Sequence, residues 1–284
     1  MIIDPLEFDP ARLGWKIGAE EVRKLQLDML DALAAYCDAH GLTYYLSGGT
    51  LLGAVRHGGY IPWDDDIDIN MPRPDFERLI ELTGGRLTDD YLIGSPDGPI
   101  EQANSFPRMY DTRFVLHSVS SDGYSLYYAP LFIDIFPIEG LPTSMWWVRI
   151  HYIYTKAMNV MRQLAYFRRP LPKRFNASKV ARFVARPLAR RKGYEYWNDK
   201  LLKAAKKYRW EDCMYVGVCT GSVHTVEEYI EKEGYGKPVK VNFEGKLYSA
   251  PANTHKYLKH LYGEYMKLPP EEKRIAHHFD VWEI

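Results

Sequence analysis

Apolar side chains recur with helical spacing in two stretches of the first third of the chain. Between residues 22 and 37 they follow one another mostly at intervals of three or four, which predicts an amphipathic helix that ends near Gly41. A second periodic stretch predicts a helix that begins near Asp75 and ends at Gly84. Both predicted helices end at glycine, the residue that most readily adopts the left-handed conformation of a helix C-cap.

Other short segments alternate apolar with polar positions or are rich in β-branched and aromatic residues, and these features predict strands. The predicted strands span 42–47, 66–70, 113–118 and 129–138. A further pair of strands within 239–249 is expected to form a hairpin that turns at Glu244-Gly245.

The remainder of the chain is predicted to be largely helical. From Met145 onward the pattern indicates helices, with breaks expected at the prolines. These prolines are Pro170, Pro172 and Pro187. A last helix is expected to begin at Asn253-Thr254 and to carry an apolar face that includes Tyr262.

This order of elements predicts an α+β protein. We expect a mixed β-sheet core with an N-terminal helix, followed by a helical middle and C-terminal region. The expected units are 1–142 as the core, 143–212 as a basic helical region, and 213–284 as a closing α/β unit. A length of 284 residues equally allows all three units to form one domain.

The distribution of charge changes this picture more than the total does. The formal net charge is zero, so no general attraction to nucleic acid is expected. From Met145 to Arg209, however, 18 Lys or Arg residues face only two acidic residues, and the remainder of the chain has 19 basic and 35 acidic residues. The basic region 145–209 is therefore expected to contact an anionic membrane or acceptor, or else the acidic surface of the protein itself.

Cysteine usage and the N-terminal sequence bear on the compartment. The three cysteines show no close pairing of the CxxC type, which argues against a disulfide framework or a cysteine-rich zinc site. The first residues lack the pattern of a signal peptide, and no apolar run approaches the roughly 20 residues that span a bilayer. We therefore expect a cytoplasmic protein, with peripheral contact at the inner face of the cell membrane as the alternative.

The most informative segment reads "SGGTLLGAVRHGGYIPWDDDIDI" and spans residues 47–69. Gly48 and Gly49 separate a predicted strand from a short helix that Thr50 is expected to cap, so their backbone N–H groups can approach a phosphate closely. On the next predicted strand, Asp66 and Asp68 point to the same face. Such a carboxylate pair persists on a buried face only if a cation offsets it, and oxygen ligands favour Mg²⁺ or Mn²⁺.

Two simpler explanations of this acidic segment remain open, a solvated turn and a helix start that favours carboxylates. A third aspartate strengthens the metal hypothesis. Asp134 lies within the apolar strand "LFIDIFP" (131–137), where an unpaired carboxylate would cost several kcal/mol. We expect its strand to lie beside that of Asp66 and Asp68, so that Asp134 binds the metal with them or takes the proton of an acceptor hydroxyl. Asp64 and Asp65 are expected to support the metal or to shape the turn.

Together these segments resemble the LicD family of phosphotransferases, which is related to fukutin. Besides residues 47–69, the segments "MPRPDFERL", "FIDIFPIEGLP" and "YLKHLYGEYMKLPPEEKR" are similar to family sequences, and the resemblance covers roughly 21–140 and 240–275. It implies a nucleotidyltransferase-like fold and matches Asp66 and Asp68 to the metal-binding pair and Asp134 to the third carboxylate.

The resemblance also implies a reaction, the transfer of phosphocholine from CDP-choline to a sugar hydroxyl of a cell-surface glycan or of its lipid-linked precursor. Transfer of phosphoethanolamine or aminoethylphosphonate, nucleotidyl transfer, and an inactive glycan- or nucleotide-binding module remain alternatives. Gly48, Gly49 and Thr50 are expected to position the phosphates of the donor. Arg56 and His57, between the glycines and the aspartates, are candidates for contacts with the same phosphates.

Overall fold

A computed structural model of the chain describes most of its residues. The described residues are 10–100, 102, 104–119, 126–166, 177–221, 225–274 and 280–284. The helices of this part are α1 (Ala19–His40), α2 (Gly48–His57), α3 (Arg73–Thr83), α4 (Met145–Tyr166), α5 (Ala177–Lys192), α6 (Tyr194–Ala205), α7 (Lys232–Tyr235) and α8 (Thr254–Tyr262). Short 3₁₀ turns span Pro10–Arg12, Thr225–Glu228 and Glu271–Lys273.

Nine strands of the described part form one mixed sheet, and two more form a separate hairpin. The sheet strands are β1 (Lys16–Ile17), β2 (Tyr45–Leu46), β3 (Asp68–Pro72), β4 (Tyr91–Gly94), β5 (Arg108–Val119), β6 (Leu126–Leu141), β7 (Tyr215–Val218), β8 (Ile230–Glu231) and β11 (Asp280–Glu283). The hairpin consists of β9 (Val239–Phe243) and β10 (Lys246–Ala250). Helices and strands are thus mixed along the chain, and the α+β prediction is confirmed.

The centre of the sheet is built from strands that are distant in sequence. Its main path runs β1-β11-β5-β6-β3-β2, with β4 beside β5 and with β7 and β8 continuing from β6. The pair β3–β6 is parallel, whereas β5 and β7 pair with β6 in antiparallel fashion. The long strand β6 therefore contacts three neighbours, and the predicted catalytic aspartate Asp134 lies on it.

Local sequence accounts for the ends of the first helices. Gly41, Gly58 and Gly84 follow α1, α2 and α3 and all have positive φ angles, between 59° and 74°. In this left-handed conformation glycine carries no Cβ penalty. The hairpin likewise turns at Glu244-Gly245, both with positive φ, as the sequence predicts.

Several boundaries differ from the predictions. The strand predicted over 42–47 is only two residues long, and the one predicted over 66–70 begins at Asp68, so Asp66 precedes it. Pro187 lies inside α5 and does not end the helix. A proline costs a helix one backbone hydrogen bond, but α5 packs against α4 and α6, and this tertiary packing outweighs the local preference. The predicted breaks at Pro170 and Pro172 lie outside the described residues.

The hydrophobic core lies between α1 and the central strands. Met29, Leu30 and Leu33 of α1 are fully buried in the same cluster as Ile69 of β3 and Ile135 of β6. The C-terminal part contributes to this core as well, because α8 packs into it and β11 pairs with β5. Strands of one sheet therefore lie both before residue 142 and after residue 212, the two predicted boundaries.

Candidate active site

The glycine turn lies directly against two aspartates. Gly48 begins α2 with a φ of 50°, and a Cβ atom added there would lie 2.8 Å from Oδ2 of Asp68. A Cβ atom added to Gly49 would lie 2.5 Å from Oδ2 of Asp64. Because real Cβ atoms do not approach this closely, only glycine lets the turn pack against these carboxyl groups.

Polar side chains fix the loop that carries the aspartates. Arg23 of α1 donates to the backbone carbonyl of Asp64 over 2.8 Å, and Gln26 donates to the carbonyl of Asp65 over 2.9 Å. The hydroxyl of Thr50 accepts a hydrogen bond of 2.8 Å from the backbone N–H of Asp68. The prediction that Thr50 caps α2 is therefore wrong, because Ser47 occupies the N-cap position and Thr50 holds the start of β3 instead.

Three charged residues stand side by side across three adjacent strands. Asp68 of β3 pairs in register with Asp134 of β6, and Asp134 pairs with Arg108 of β5. The guanidinium of Arg108 donates to Oδ1 of Asp134 over 2.6 Å and lies over the ring of Phe132, with its carbon 3.6 Å from the ring centroid. Asp134 is buried, and the cation that neutralises it in the structure is Arg108.

The aspartates form one electrostatic cluster. Burial raises the pKa of Asp68 well above its usual range, and the carboxyl groups of Asp66 and Asp134 raise it further. Burial and then Asp64 act in the same way on the pKa of Asp66. Burial also raises the pKa of Asp134, although Arg108 acts in the opposite direction. A site that disfavours its own negative charge in this way favours a bound cation.

The chemistry of this cluster fits a divalent ion with oxygen ligands, Mg²⁺ or Mn²⁺. Among the described residues, no three His, Cys, Asp or Glu side chains are already spaced to hold an ion together. Since Asp134 is paired with Arg108, Asp66 and Asp68 are the residues best placed to bind it. The assignment of all three aspartates as metal ligands stays a prediction.

A cavity of about 200 Å³ opens beside Asp68. Gly48 and Asp68 contribute to its wall, together with residues from distant parts of the chain that carry a negative charge or aromatic rings. These are Phe136, Glu228, Tyr257 and Tyr262. The cavity thus joins the glycine turn and Asp68 to a second, anionic and aromatic wall.

The second wall is held in place by buried polar contacts. Asn70 of β3 donates to the hydroxyls of Tyr235 and Tyr257, over 2.9 Å and 3.3 Å. Burial raises the pKa of the Tyr262 hydroxyl, and the carboxylates of Asp68 and Glu228 add to the effect. The side chain of Glu228 is itself buried at the end of a 3₁₀ turn.

Sequence reasoning did not identify all of these residues. Glu228 belongs to no periodic pattern, and Arg108 precedes the predicted strand 113–118, which in the structure begins at Arg108. The sequence does offer Tyr262, together with Tyr248, Tyr265 and Trp282, as a candidate cage for a quaternary ammonium group, and of these four Tyr262 lines the cavity. Only the pairing of distant segments brings these side chains to the aspartates.

Arg56 and His57 lie elsewhere. They occupy the C-terminal end of α2, roughly 13 Å along the helix axis from Gly48. The guanidinium of Arg56 donates to the carbonyl of Tyr265 over 2.9 Å, and the ring of His57 contacts Trp63 edge-on. The structure does not bring them to the cavity wall, and their contact with a donor stays a prediction.

Comparison with known proteins identifies a family. Residues 41–192 match the family model described as LicD/FKTN/FKRP, nucleotidyltransferase domain. Lipopolysaccharide cholinephosphotransferase LicD of Haemophilus influenzae is 27% identical over 274 residues, which cover 93% of this chain and 97% of that protein. Ribitol 5-phosphate transferase FKRP of Homo sapiens is 47% identical over 47 residues, 16% of this chain and 10% of that protein.

The family model covers more than half of the chain, and the Haemophilus influenzae protein is similar over nearly its whole length. The matched segment contains the glycine turn, the aspartate loop, Arg108 and Asp134. The chain therefore belongs to the LicD/FKTN/FKRP nucleotidyltransferase-domain family.

Proposed function

We propose that this phosphotransferase moves phosphocholine from CDP-choline to a sugar hydroxyl of a cell-surface glycan or of its lipid-linked precursor. The chain is similar over 93% of its length to a protein named a lipopolysaccharide cholinephosphotransferase. In the proposed reaction the acceptor oxygen forms a bond to the phosphorus that carries choline. The bond between that phosphorus and the bridging oxygen breaks, and CMP leaves with the electron pair.

The cavity is the observation that carries this proposal. One side offers the glycine turn and Asp68, which suit the diphosphate of the donor. The same cavity offers the Glu228 carboxylate and the rings of Phe136 and Tyr262, which suit a cation without hydrogen-bond donors. Quaternary ammonium groups are recognised by aromatic faces, and a carboxylate adds charge attraction.

Asp66 and Asp68 would hold a divalent ion, which when bound neutralises the negative charge of the phosphates. Asp134 is proposed to complete this set or to receive the proton of the acceptor hydroxyl. Its ion pair with Arg108 fixes the orientation of its carboxylate. Gly48 and Gly49 let the backbone approach the phosphates. The hydroxyl of Thr50 accepts a hydrogen bond from the backbone of Asp68 and so fixes the start of β3.

Donor screening with analysis of the leaving group tests the proposal. Purified protein would be incubated with CDP-choline, CDP-ethanolamine or a nucleoside triphosphate, an acceptor glycan and Mg²⁺. We expect CMP release with CDP-choline, loss of activity with EDTA and its return with Mg²⁺ or Mn²⁺. CMP release only with CDP-ethanolamine would assign a different head group, and release of pyrophosphate from a triphosphate would indicate nucleotidyl transfer.

A further inference from the structure

Helix α4 has apolar side chains on two opposite faces. One face packs into the protein through Val148, Tyr152 and Thr155, which are buried. On the opposite side, Trp146 is 67% exposed and Ile153 is 69% exposed. An inward-facing apolar stripe explains how a helix packs, but a second stripe facing outward has no such role.

The exposed stripe is continuous along the helix. Trp146, Ile150 and Ile153 recur at intervals of four and three residues, which places them above one another on one face. Trp147 and Tyr154 widen the stripe and are 58% and 44% exposed. Large exposed apolar patches mark surfaces that contact another molecule, and Trp and Tyr are enriched where proteins meet the membrane interface.

The charged residues of α4 and α5 are all basic. No Asp or Glu occurs between Glu139 and Glu195, whereas this stretch contains 13 Lys or Arg residues. Arg149 and Lys156 lie three residues after Trp146 and Ile153, so they flank the stripe on the exposed surface. The neighbouring α5 exposes further basic and apolar residues. These include Arg182, Val184, Leu188, Arg190, Arg191 and Lys192.

Pairing with the acidic remainder of the protein accounts for only part of this charge. Within the described residues, Lys206 of the basic region bridges to Glu77 and Asp97. In that same part of the chain Arg149 and Lys156 form no ion pair. The intramolecular alternative therefore holds for Lys206 and Arg209, which lie beyond α6 and pair with carboxylates. It does not account for Arg149 and Lys156 of α4, whose charges suit an anionic surface.

We infer that the outward face of α4 docks on an anionic lipid bilayer. Trp146, Ile150 and Ile153 would enter the apolar side of the head-group region, and Arg149 and Lys156 would contact lipid phosphates. None of the helices in the part of the chain that the structure covers is long and apolar enough to cross a membrane. Helix α4 would lie in the plane of the membrane interface. This position would bring the enzyme to an acceptor that is anchored in lipid.

A groove at the start of α4 supports the same partner. It measures about 680 Å³ and is lined by Trp147, Lys207, Arg209 and Asp212, and Arg209 lies 3.9 Å from the Asp212 carboxylate. An indole beside the Lys207 ammonium suits a phospholipid, whose phosphate needs the charge and whose acyl chain needs the apolar surface. Because the helix that carries the stripe directly follows β6, the proposed membrane contact and Asp134 belong to consecutive elements.

Flotation of the full chain with vesicles tests the inference without using catalysis, so its outcome is independent of the proposed reaction. We expect binding to vesicles of phosphatidylcholine mixed with phosphatidylglycerol, and release as salt is raised. The double variant Trp146→Ser/Ile153→Ser should bind at least about tenfold more weakly. In the variant Arg149→Gln/Lys156→Gln, the affinity for these vesicles should fall about fivefold for each charge removed.

A matched control alters exposed apolar residues elsewhere, Trp15 and Leu247, which are 82% and 67% exposed. The variant Trp15→Ser/Leu247→Ser should bind vesicles as the wild type does. Absence of wild-type binding at low salt would overturn the inference, and so would binding that the α4 substitutions leave unchanged. Self-association of the wild type in sedimentation, abolished by Trp146→Ser/Ile153→Ser without vesicle binding, would assign the face to a second copy of the chain.

Discussion

At the scale of single residues, the negative charges that are expected to bind a cation also destabilise the folded protein. Asp66 and Asp68 are partly buried and crowded by other carboxyl groups, and burial and then this crowding raise the pKa of each. A raised pKa in the folded state means that stability is lost as pH rises from the ordinary aspartate range through the folded pKa. At neutral pH without a cation, the site therefore works against folding.

We predict that Asp66→Asn and Asp68→Asn each lower turnover by about a thousandfold or more, because the loss of a metal ligand removes several kcal/mol of charge stabilisation. In EDTA at neutral pH each variant should melt at a higher temperature than the wild type, because one repelling charge is gone. Turnover and thermal denaturation measure the two effects. The exposed Asp89 provides the control, and Asp89→Asn should change neither. Near-normal turnover of either site variant would contradict the metal assignment.

The second residue-scale prediction concerns Glu228, which lines the same cavity as Gly48 and Asp68. Glu228→Gln should raise KM for CDP-choline about tenfold, because a carboxylate no longer faces the quaternary ammonium. The same substitution should leave KM nearly unchanged for CDP-3,3-dimethylbutanol, a neutral donor of the same shape. Steady-state kinetics with both donors provides the measurement.

The neighbouring Glu227 is exposed, and Glu227→Gln serves as the matched control. If Glu228 instead received the proton of the acceptor, Glu228→Gln would lower kcat equally for both donors and would change the pH profile. Equal losses with the charged and the neutral donor would thus contradict a head-group role while leaving the proposed transfer reaction intact.

At the scale of elements, local sequence predicts those parts that local chemistry determines. The helices α1 and α3 and the β9–β10 hairpin follow from apolar period and glycine position, and all three are present as expected. The register between strands does not follow from local sequence in this way. Arg108 and Asp134 are 26 residues apart, and nothing in either segment alone states that they pair. The cation beside Asp134 could therefore not be predicted, although the cost of burying that aspartate alone could.

The buried face of α4 leads to a prediction about pH. Burial lowers the pKa of His151 from 6.5 to about 4, and Lys207 adds to the effect. The unfolded chain therefore takes up a proton in this range that the folded protein does not, so the free energy of unfolding should fall as pH drops from 6.5 to about 4. The contribution is up to about 3 kcal/mol.

Urea denaturation across this pH range checks the prediction. His151→Gln should reduce the slope of stability against pH between 4 and 6.5, because the variant has no group to protonate at this position. His260 is exposed, so His260→Gln should keep the wild-type slope. A slope that His151→Gln leaves unaltered would show that other groups cause the acid sensitivity.

At the scale of the whole molecule, the candidate active site combines residues from the N-terminal and C-terminal parts of the chain. The family model ends at residue 192, yet Glu228, Tyr257 and Tyr262 complete the cavity. The residues predicted to bind phosphate and metal form a compact signature within residues 47–69. The sequence could not show that α8 contributes to the same cavity, because α8 reaches β3 through tertiary contacts such as the hydrogen bond from Asn70 to Tyr257.

The same long-range pairing predicts how the molecule unfolds. Strands β7 and β11, from the C-terminal part, belong to one sheet with β5 and β6, and the buried ion pair of Arg73 with Glu139 links α3 to β6. We expect calorimetry and circular dichroism to report one coincident unfolding transition.

Two core variants test this expectation. Leu33→Ala in the main core should lower the free energy of unfolding by about 2–5 kcal/mol and lower the temperature of that single transition. Val148→Ala, in the small cluster beneath α4, should lower the same transition. Two transitions, each sensitive to only one of these variants, would show instead that the basic helical region folds as a separate unit.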